Sequence, residues 1–189
     1  SIKIAKKRGV KVTCSTSPHY FNLYEEDIKK WRTYAKVSPP LRSIKNMTAI
    51  KKAILNNDID CITSDHSPHD TDSKRLPFEQ ASSGVIGFES LLPLTLKLIN
   101  DKKLSNKRLV ELLSLHPSKI LKLNSGTLKK RRPADIVLID INKKIKLSSS
   151  LIKSKSNNFP YENISGQGKI MLTIVDGKIV FNDRSFNIK

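Results

Sequence analysis

The sequence predicts an α/β fold followed by a small β-rich unit, and three observations carry that expectation. A helical opening that ends at Gly9 leads straight into Val10-Lys11-Val12-Thr13-Cys14-Ser15, the helix-then-strand order of parallel α/β proteins. A second apolar run, Ile59-Asp60-Cys61-Ile62-Thr63-Ser64, follows an amphipathic helix and stops on Asp65, which completes one βαβ turn with a right-handed crossover. Past residue 122 the texture changes to β-branched runs, and Asp176-Gly177 between two of them is a hairpin signal. The expected units are therefore 1–122, α/β, and 123–189, β-rich.

In chain order, Ile2-Lys3-Ile4-Ala5-Lys6-Lys7-Arg8-Gly9 reads as the last turns of a helix already under way. The first residue is Ser1, so the expected beginning lies upstream, and neither a signal nor a transit peptide is visible. Residues 23–31 place Glu25, Glu26 and Asp27 ahead of Lys29 and Lys30, the charge order a helix dipole favours. Ser38-Pro39-Pro40-Leu41-Arg42 must be extended, because paired prolines exclude helix. Residues 44–56 form the clearest amphipathic helix, with Met47, Ile50, Ala53 and Ile54 on one stripe. Residues 70–80 read as a long polar loop that closes on Gly84 and Gly87. Two more helices are expected over 88–100 and 104–115, the second broken by His116-Pro117. The tail strands fall near 126–128, 134–140 and 168–181, with a polar, irregular stretch over 148–168.

Lys and Arg total 35 against 17 Asp and Glu, a net charge of +18. Such a balance attracts phosphate, but the lysines are spread along the whole chain and no nucleic-acid-binding motif accompanies them. Lys129-Lys130-Arg131-Arg132 is the one tight cluster and reads as a solvated turn. No apolar run approaches the ~20 residues of a membrane span, so a soluble protein is expected. Cys14 and Cys61 each sit inside an apolar run, which fits buried thiols in a reducing, cytoplasmic setting better than a disulfide framework.

The chemistry concentrates in Asp65-His66-Ser67-Pro68-His69. Strand ends are where α/β enzymes place reactive groups, and Pro68 keeps the strand from continuing, so His66 and His69 belong to a loop. One carboxylate and two imidazoles within five residues suit metal ligation, proton transfer and substrate capture. The same residues also suit a polar turn in which the aspartate caps the next segment. His19, a second histidine just past a strand end, suits either a structural or a functional role. Ser38 and Arg42 either address a ligand or belong to a stiff connector, and the two glycines either admit a ligand to the backbone or simply turn the chain.

Six stretches together resemble one family: Val12-Thr13-Cys14-Ser15-Thr16-Ser17-Pro18-His19-Tyr20-Phe21, Lys36-Val37-Ser38-Pro39-Pro40-Leu41-Arg42-Ser43, Ile62-Thr63-Ser64-Asp65-His66-Ser67-Pro68-His69, Val85-Ile86-Gly87-Phe88-Glu89, Ala134-Asp135-Ile136-Val137-Leu138-Ile139-Asp140 and Val175-Asp176-Gly177-Lys178-Ile179-Val180. In order and spacing the chain resembles the C-terminal half of class I dihydroorotases, in the amidohydrolase superfamily. The resemblance implies the C-terminal part of a (β/α)8 barrel, with residues 10–15 and 59–64 as strands seven and eight, followed by part of a small β-sandwich. Asp65 then matches the catalytic, metal-binding aspartate, which takes a proton from a metal-activated water and delivers it to the departing amide nitrogen. His69, Ser38 and the backbone at Ser83 and Gly84 match the positions that hold dihydroorotate. Many members carry Asn where this chain has Ser38. At the position of His69, allantoinase-like proteins tend to carry Cys and dihydropyrimidinase-like ones an apolar residue.

The implied cofactor is one or two Zn²⁺ ions whose other ligands, an HxH pair, a carboxylate and two histidines, would lie upstream. Two strands cannot close a barrel, so Ile62 and its apolar neighbours are expected to face water, and the chain alone to be inactive and to aggregate or stay partly unfolded. The implied activity is reversible hydrolysis of dihydroorotate to carbamoyl aspartate in pyrimidine synthesis. Its partners would be that substrate and either a second copy or aspartate carbamoyltransferase, with no specific nucleic acid and no membrane. The alternatives are a non-catalytic partner of aspartate carbamoyltransferase and a basic nucleic-acid-binding protein.

Overall fold

The computed structural model describes residues 2–29, 32–100, 104–183, 185 and 186. Helix α1 (Ile2–Lys7) is closed by Gly9 at φ 78°, a left-handed value that glycine adopts without steric cost. Strand β1 (Ser15–Thr16) then pairs in parallel with β2 (Cys61–Ile62), Ser15 opposite Cys61 and Thr16 opposite Ile62. Both strands are much shorter than the expected 10–15 and 59–64. Ladder bonds need a partner backbone, and the Cys14 N–H is instead donated to the Asp60 carboxylate at 2.8 Å. Lys6 holds the same carboxylate at 2.7 Å, so α1 is tied to the strand pair by charge.

The crossover runs through α2 (Pro18–Asn22), two single 3₁₀ turns at Glu25–Ile28 and Thr33–Ala35, and α3 (Ile44–Leu55). The helix expected over 23–31 reduces to the first of those turns. Asp27 folds back to accept the Tyr24 N–H at 2.9 Å, and Lys29 at φ 9° leaves helical space. Lys30 and Trp31 lie outside the described residues. The stretch after His69 is not structureless either: Asp70 accepts the Ser73 N–H at 2.8 Å and caps α4 (Thr71–Arg75).

Helix α5 (Phe88–Asn100) falls where the periodicity puts it. The next helix does not break at His116-Pro117: α6 (Asn106–Val110) continues through one π-helical turn, Glu111–Leu115, into α7 (His116–Ile120). The wider turn, closed by the His116 N–H on the Glu111 carbonyl, makes room for a proline ring that an α-helix would reject.

The tail is a three-stranded antiparallel sheet in the order β3 (Ile136–Lys146), β4 (Ser165–Val175) and β5 (Lys178–Asn182). Asp176 and Gly177, at φ 48° and 75°, make the β4–β5 hairpin turn as the sequence predicts. Residues 126–128 form no strand. The 148–168 stretch also departs from expectation, because its end joins β4 and its interior places Asn158, Phe159 and Tyr161 in the core.

Among the described residues two apolar clusters form the core. One joins Leu23, Val37, Val85, Ile86 and Leu94 to Leu147, Phe159 and Tyr161, so side chains from both sides of residue 122 share a core. The other packs Ile59 and Ile62 against Phe21, Ile54, Leu109 and Leu112. Ile62 is therefore buried, at 3% exposure, and does not face water as expected. Helices cover that face of the strand pair whatever lies along its edges. Among the described residues no helix is long and apolar enough to cross a membrane, and both cysteines are free.

Candidate active site

Asp65 ends the β2 segment with φ 47°, a left-handed conformation that aspartate tolerates better than most residues. Its side chain, 51% exposed, stands on the wall of a cavity of about 670 Å³ that also takes in Ser38, Tyr20, Arg42, Met47 and Thr63. The short extended stretch before Pro39 carries Ser38 there, and α3 supplies the apolar side through Met47 and Ile50. Tyr20 closes the corner by donating its hydroxyl to the Pro39 carbonyl at 2.9 Å.

Behind Asp65 lies His19, fully buried at the start of α2, with Nε2 3.3 Å from Asp65 Oδ2. The contact is close, and among the described residues neither ring nitrogen completes a hydrogen bond. Burial pulls the imidazole down to about 4, against the opposing pull of Asp65, so the ring is neutral near pH 7. Burial first, and Asp65 second, push the neighbouring Tyr20 hydroxyl up to about 12. The His19 ring packs edge-on against Tyr20 at 4.1 Å.

The loop beyond Asp65 is tied to the scaffold. His66 stacks on Phe88 at 3.9 Å and accepts the Gly87 N–H on Nδ1 at 3.2 Å, so its ring is turned toward α5. A Cβ at Gly87 would run into the Ser64 carbonyl, which explains a glycine there. His69 donates Nε2–H to the Ser83 carbonyl at 2.9 Å, with the Ser67 hydroxyl at 3.2 Å, and its backbone N–H meets Asn158 Oδ1 at 3.2 Å. Gly84, at φ 143°, has no space for a side chain either: a Cβ would come within 2.5 Å of the Ser67 hydroxyl and 2.8 Å of His69 Nε2. Its N–H is spent on the Lys36 carbonyl at 2.9 Å.

The five residues expected at the site thus fall into two adjoining groups. Asp65 and Ser38 share the cavity, whereas His69, Ser83 and Gly84 share one hydrogen-bonded cluster reached through the 65–69 loop. Three further residues build that cluster. Asn158 donates Nδ2 to the carbonyls of Ser67, at 2.8 Å, and Gly84, at 3.1 Å. Lys74, 1% exposed, donates Nζ to the carbonyls of Ser82, at 2.7 Å, and Gly84, at 3.0 Å. Burial, with Lys36 nearby, lowers its ammonium to about 8. Lys36 itself holds the carbonyls of Phe78 and Glu79 at 2.6 and 2.8 Å. Nothing in the local pattern marks Asn158, which reaches its partners across 74 to 91 residues. Lys74 carries one weak signal, its place one turn after the Asp70 cap.

Among the described residues no three His, Cys, Asp or Glu side chains converge to hold a metal. Asp65 can offer one oxygen donor into the cavity, so this chain can contribute to a metal centre but cannot complete one from those residues.

The parallel strand pair thus carries an acid at its C-terminal edge, beside a cavity and backed by a buried imidazole, and residues 1–180 match the Amidohydrolase family. The chain belongs to that family, whose members are generally metal-dependent. It is 43% identical over 183 residues to a dihydroorotase of Trichlorobacter lovleyi, covering 97% of this chain and 43% of the relative. It is 45% identical over 179 residues to a dihydroorotase of Geobacter sulfurreducens, covering 95% of this chain and 42% of the relative. The chain therefore spans less than half the length of these curated relatives. Among solved structures, the L-hydantoinase (dihydropyrimidinase) of Arthrobacter aurescens superposes with TM-score 0.86 at 30% identity, over 96% of this chain and 42% of that one. A D-hydantoinase (dihydropyrimidinase) from Thermus sp. shares the fold, with TM-score 0.89 at 24% identity and over the same 96% and 42%.

Proposed function

We propose that the protein carrying this chain is a dihydroorotase, which reversibly hydrolyses the cyclic amide of dihydroorotate to N-carbamoyl-aspartate in cytoplasmic pyrimidine synthesis. The observation that carries the reading is Asp65, half exposed at the rim of a cavity it shares with Ser38, in a chain 41–45% identical to curated dihydroorotases. On this reading β1 and β2 lie in the seventh and eighth strands of a (β/α)8 barrel, residues 1–122 are its C-terminal part, and 123–189 belong to a small β-sandwich.

Asp65 takes a proton from the water that attacks the ring carbonyl and returns it to the amide nitrogen as the C–N bond opens. Zn²⁺, one or two ions held by Asp65 and by donors outside this chain, supplies when bound the Lewis acidity that lowers the pKa of water from 15.7 to about 7. His19 stays neutral behind Asp65, so no fixed cation presses on the carboxylate from that side. Ser38 offers a hydroxyl to the bound ring. His69, its Nε2–H held by the Ser83 carbonyl, is the imidazole this reading assigns to the substrate carboxylate. Because Gly84 N–H is committed to Lys36, the Ser83 end of that loop is what remains for the ligand.

The test is substrate choice. With dihydroorotate, dihydrouracil and hydantoin offered to the complete enzyme, kcat/KM for dihydroorotate should exceed the other two by about 10²-fold or more, since they lack the carboxylate. A preference for either uncharged ring would overturn the assignment in favour of a hydantoinase.

A further inference from the structure

We propose that Lys74 is a positioning residue of the substrate loop: its buried ammonium, bound to the carbonyls of Ser82 and Gly84, sets the backbone that presents Ser83 to the ligand and locks the His69 ring. This deepens the reading given above and rests on it for the identity of the ligand.

The geometry is specific. The carbonyls of Ser82 and Gly84 converge on Lys74 Nζ, while the carbonyl between them, that of Ser83, accepts from His69 Nε2. Alternate peptide units of one tight loop are thus held by a cation and by an imidazole. Lys74 is itself fixed, since α4 is capped by Asp70 and the Lys74 carbonyl accepts the Thr33 hydroxyl at 2.5 Å. Lys36 grips the earlier part of the same loop, through Phe78 and Glu79, and takes the Gly84 N–H on its own carbonyl. Among the described residues no carboxylate is salt-bridged to Lys74, and the one titratable group acting on it is another cation, Lys36. Burying an ammonium without a counter-ion is costly, and an apolar side chain of the same length would fill the space more cheaply. A lysine whose ammonium addresses two loop carbonyls therefore does something packing does not require.

The experiment compares wild type, Lys74→Met and Lys74→Arg in the complete enzyme, reading steady-state kinetics and amide hydrogen exchange. Lys74→Met should raise KM for dihydroorotate about tenfold with kcat within about threefold, and speed exchange at residues 82–85 while α5 keeps its protection. Lys74→Arg, which keeps donors to both carbonyls, should recover part of each loss. Faster loop exchange with KM unmoved, a fall in kcat alone, or no change in either readout would overturn the proposal. Should Lys74→Met fail to fold, Lys74→Gln, which retains an amide donor, is judged by the same two readouts. If the wild type turns over a different cyclic amide, the dihydroorotase reading falls, and Lys74 is judged by KM for that amide and by loop exchange.

Discussion

Asn158 joins the tail to the loops beside the cavity, and removing its side chain tests whether that joint holds the site. Asn158 is 1% exposed and its side chain makes three hydrogen bonds: Oδ1 accepts the His69 N–H, and Nδ2 donates to the carbonyls of Ser67 and Gly84. In Asn158→Ala the Gly84 carbonyl keeps Lys74, but the His69 N–H and the Ser67 carbonyl lose these partners in a part-buried setting. A hydrogen bond is worth about 1 kcal/mol net and an orphaned buried partner costs about 1–3 kcal/mol, so the loss should be about 2–4 kcal/mol. Denaturant unfolding of the complete enzyme should show it as a lower midpoint at unchanged slope, with faster exchange of the His69 amide. Asn158→Asp should fare no better, because it turns an acceptor on two carbonyls that need a donor. A loss under about 1 kcal/mol with His69 still protected would refute the joint.

Three further outcomes rest on the same geometry. Gly87→Ala drives a Cβ into the backbone carbonyl of Ser64, which has no side-chain freedom to yield, and should lower stability by about 1–3 kcal/mol in a thermal melt. Ser38→Ala removes one hydroxyl from the cavity and should raise KM about five- to tenfold at unchanged kcat, the worth of one neutral hydrogen bond. Lys74 binds its proton less tightly folded, at about 8, than at the ordinary lysine value of 10.5, so the unfolded chain binds more protons between those values. Its contribution to stability should accordingly rise with pH from about 8 toward 10.5, and Lys74→Met should flatten that slope in denaturant midpoints taken across the window.

What the sequence shows of this fold is what short-range chemistry decides. Gly9 stopping a helix, the Asp176-Gly177 hairpin and the apolar stripe of α3 each depend on neighbours within a few residues, and each is legible. Asp65 is legible too, because an apolar run that ends on an acid beside Pro68 has few structural outcomes. The missed features depend on partners far along the chain. His19 reads as an isolated histidine until the parallel pairing of β1 with β2 brings Asp65 to 3.3 Å. Lys74 is one residue of a polar loop in the sequence until carbonyls 8 and 10 residues later accept from its ammonium. Asn158 sits in a stretch whose polar composition suggests an exterior loop, yet Phe159 and Tyr161 beside it are core residues. Pro117 reads as a helix stop, and the π-helical turn that spares it has no simple sequence mark.

Substituting Asp65 by Asn most directly tests whether one carboxylate at the cavity rim moves the proton. The change keeps shape and leaves the half-exposed position sterically undisturbed, so the melting temperature should hold. Turnover of dihydroorotate by the complete enzyme should fall by about 10²–10⁴-fold, the range that positioned proton transfer contributes. A variant that folds like the wild type and retains kcat within about tenfold would contradict the role given to Asp65.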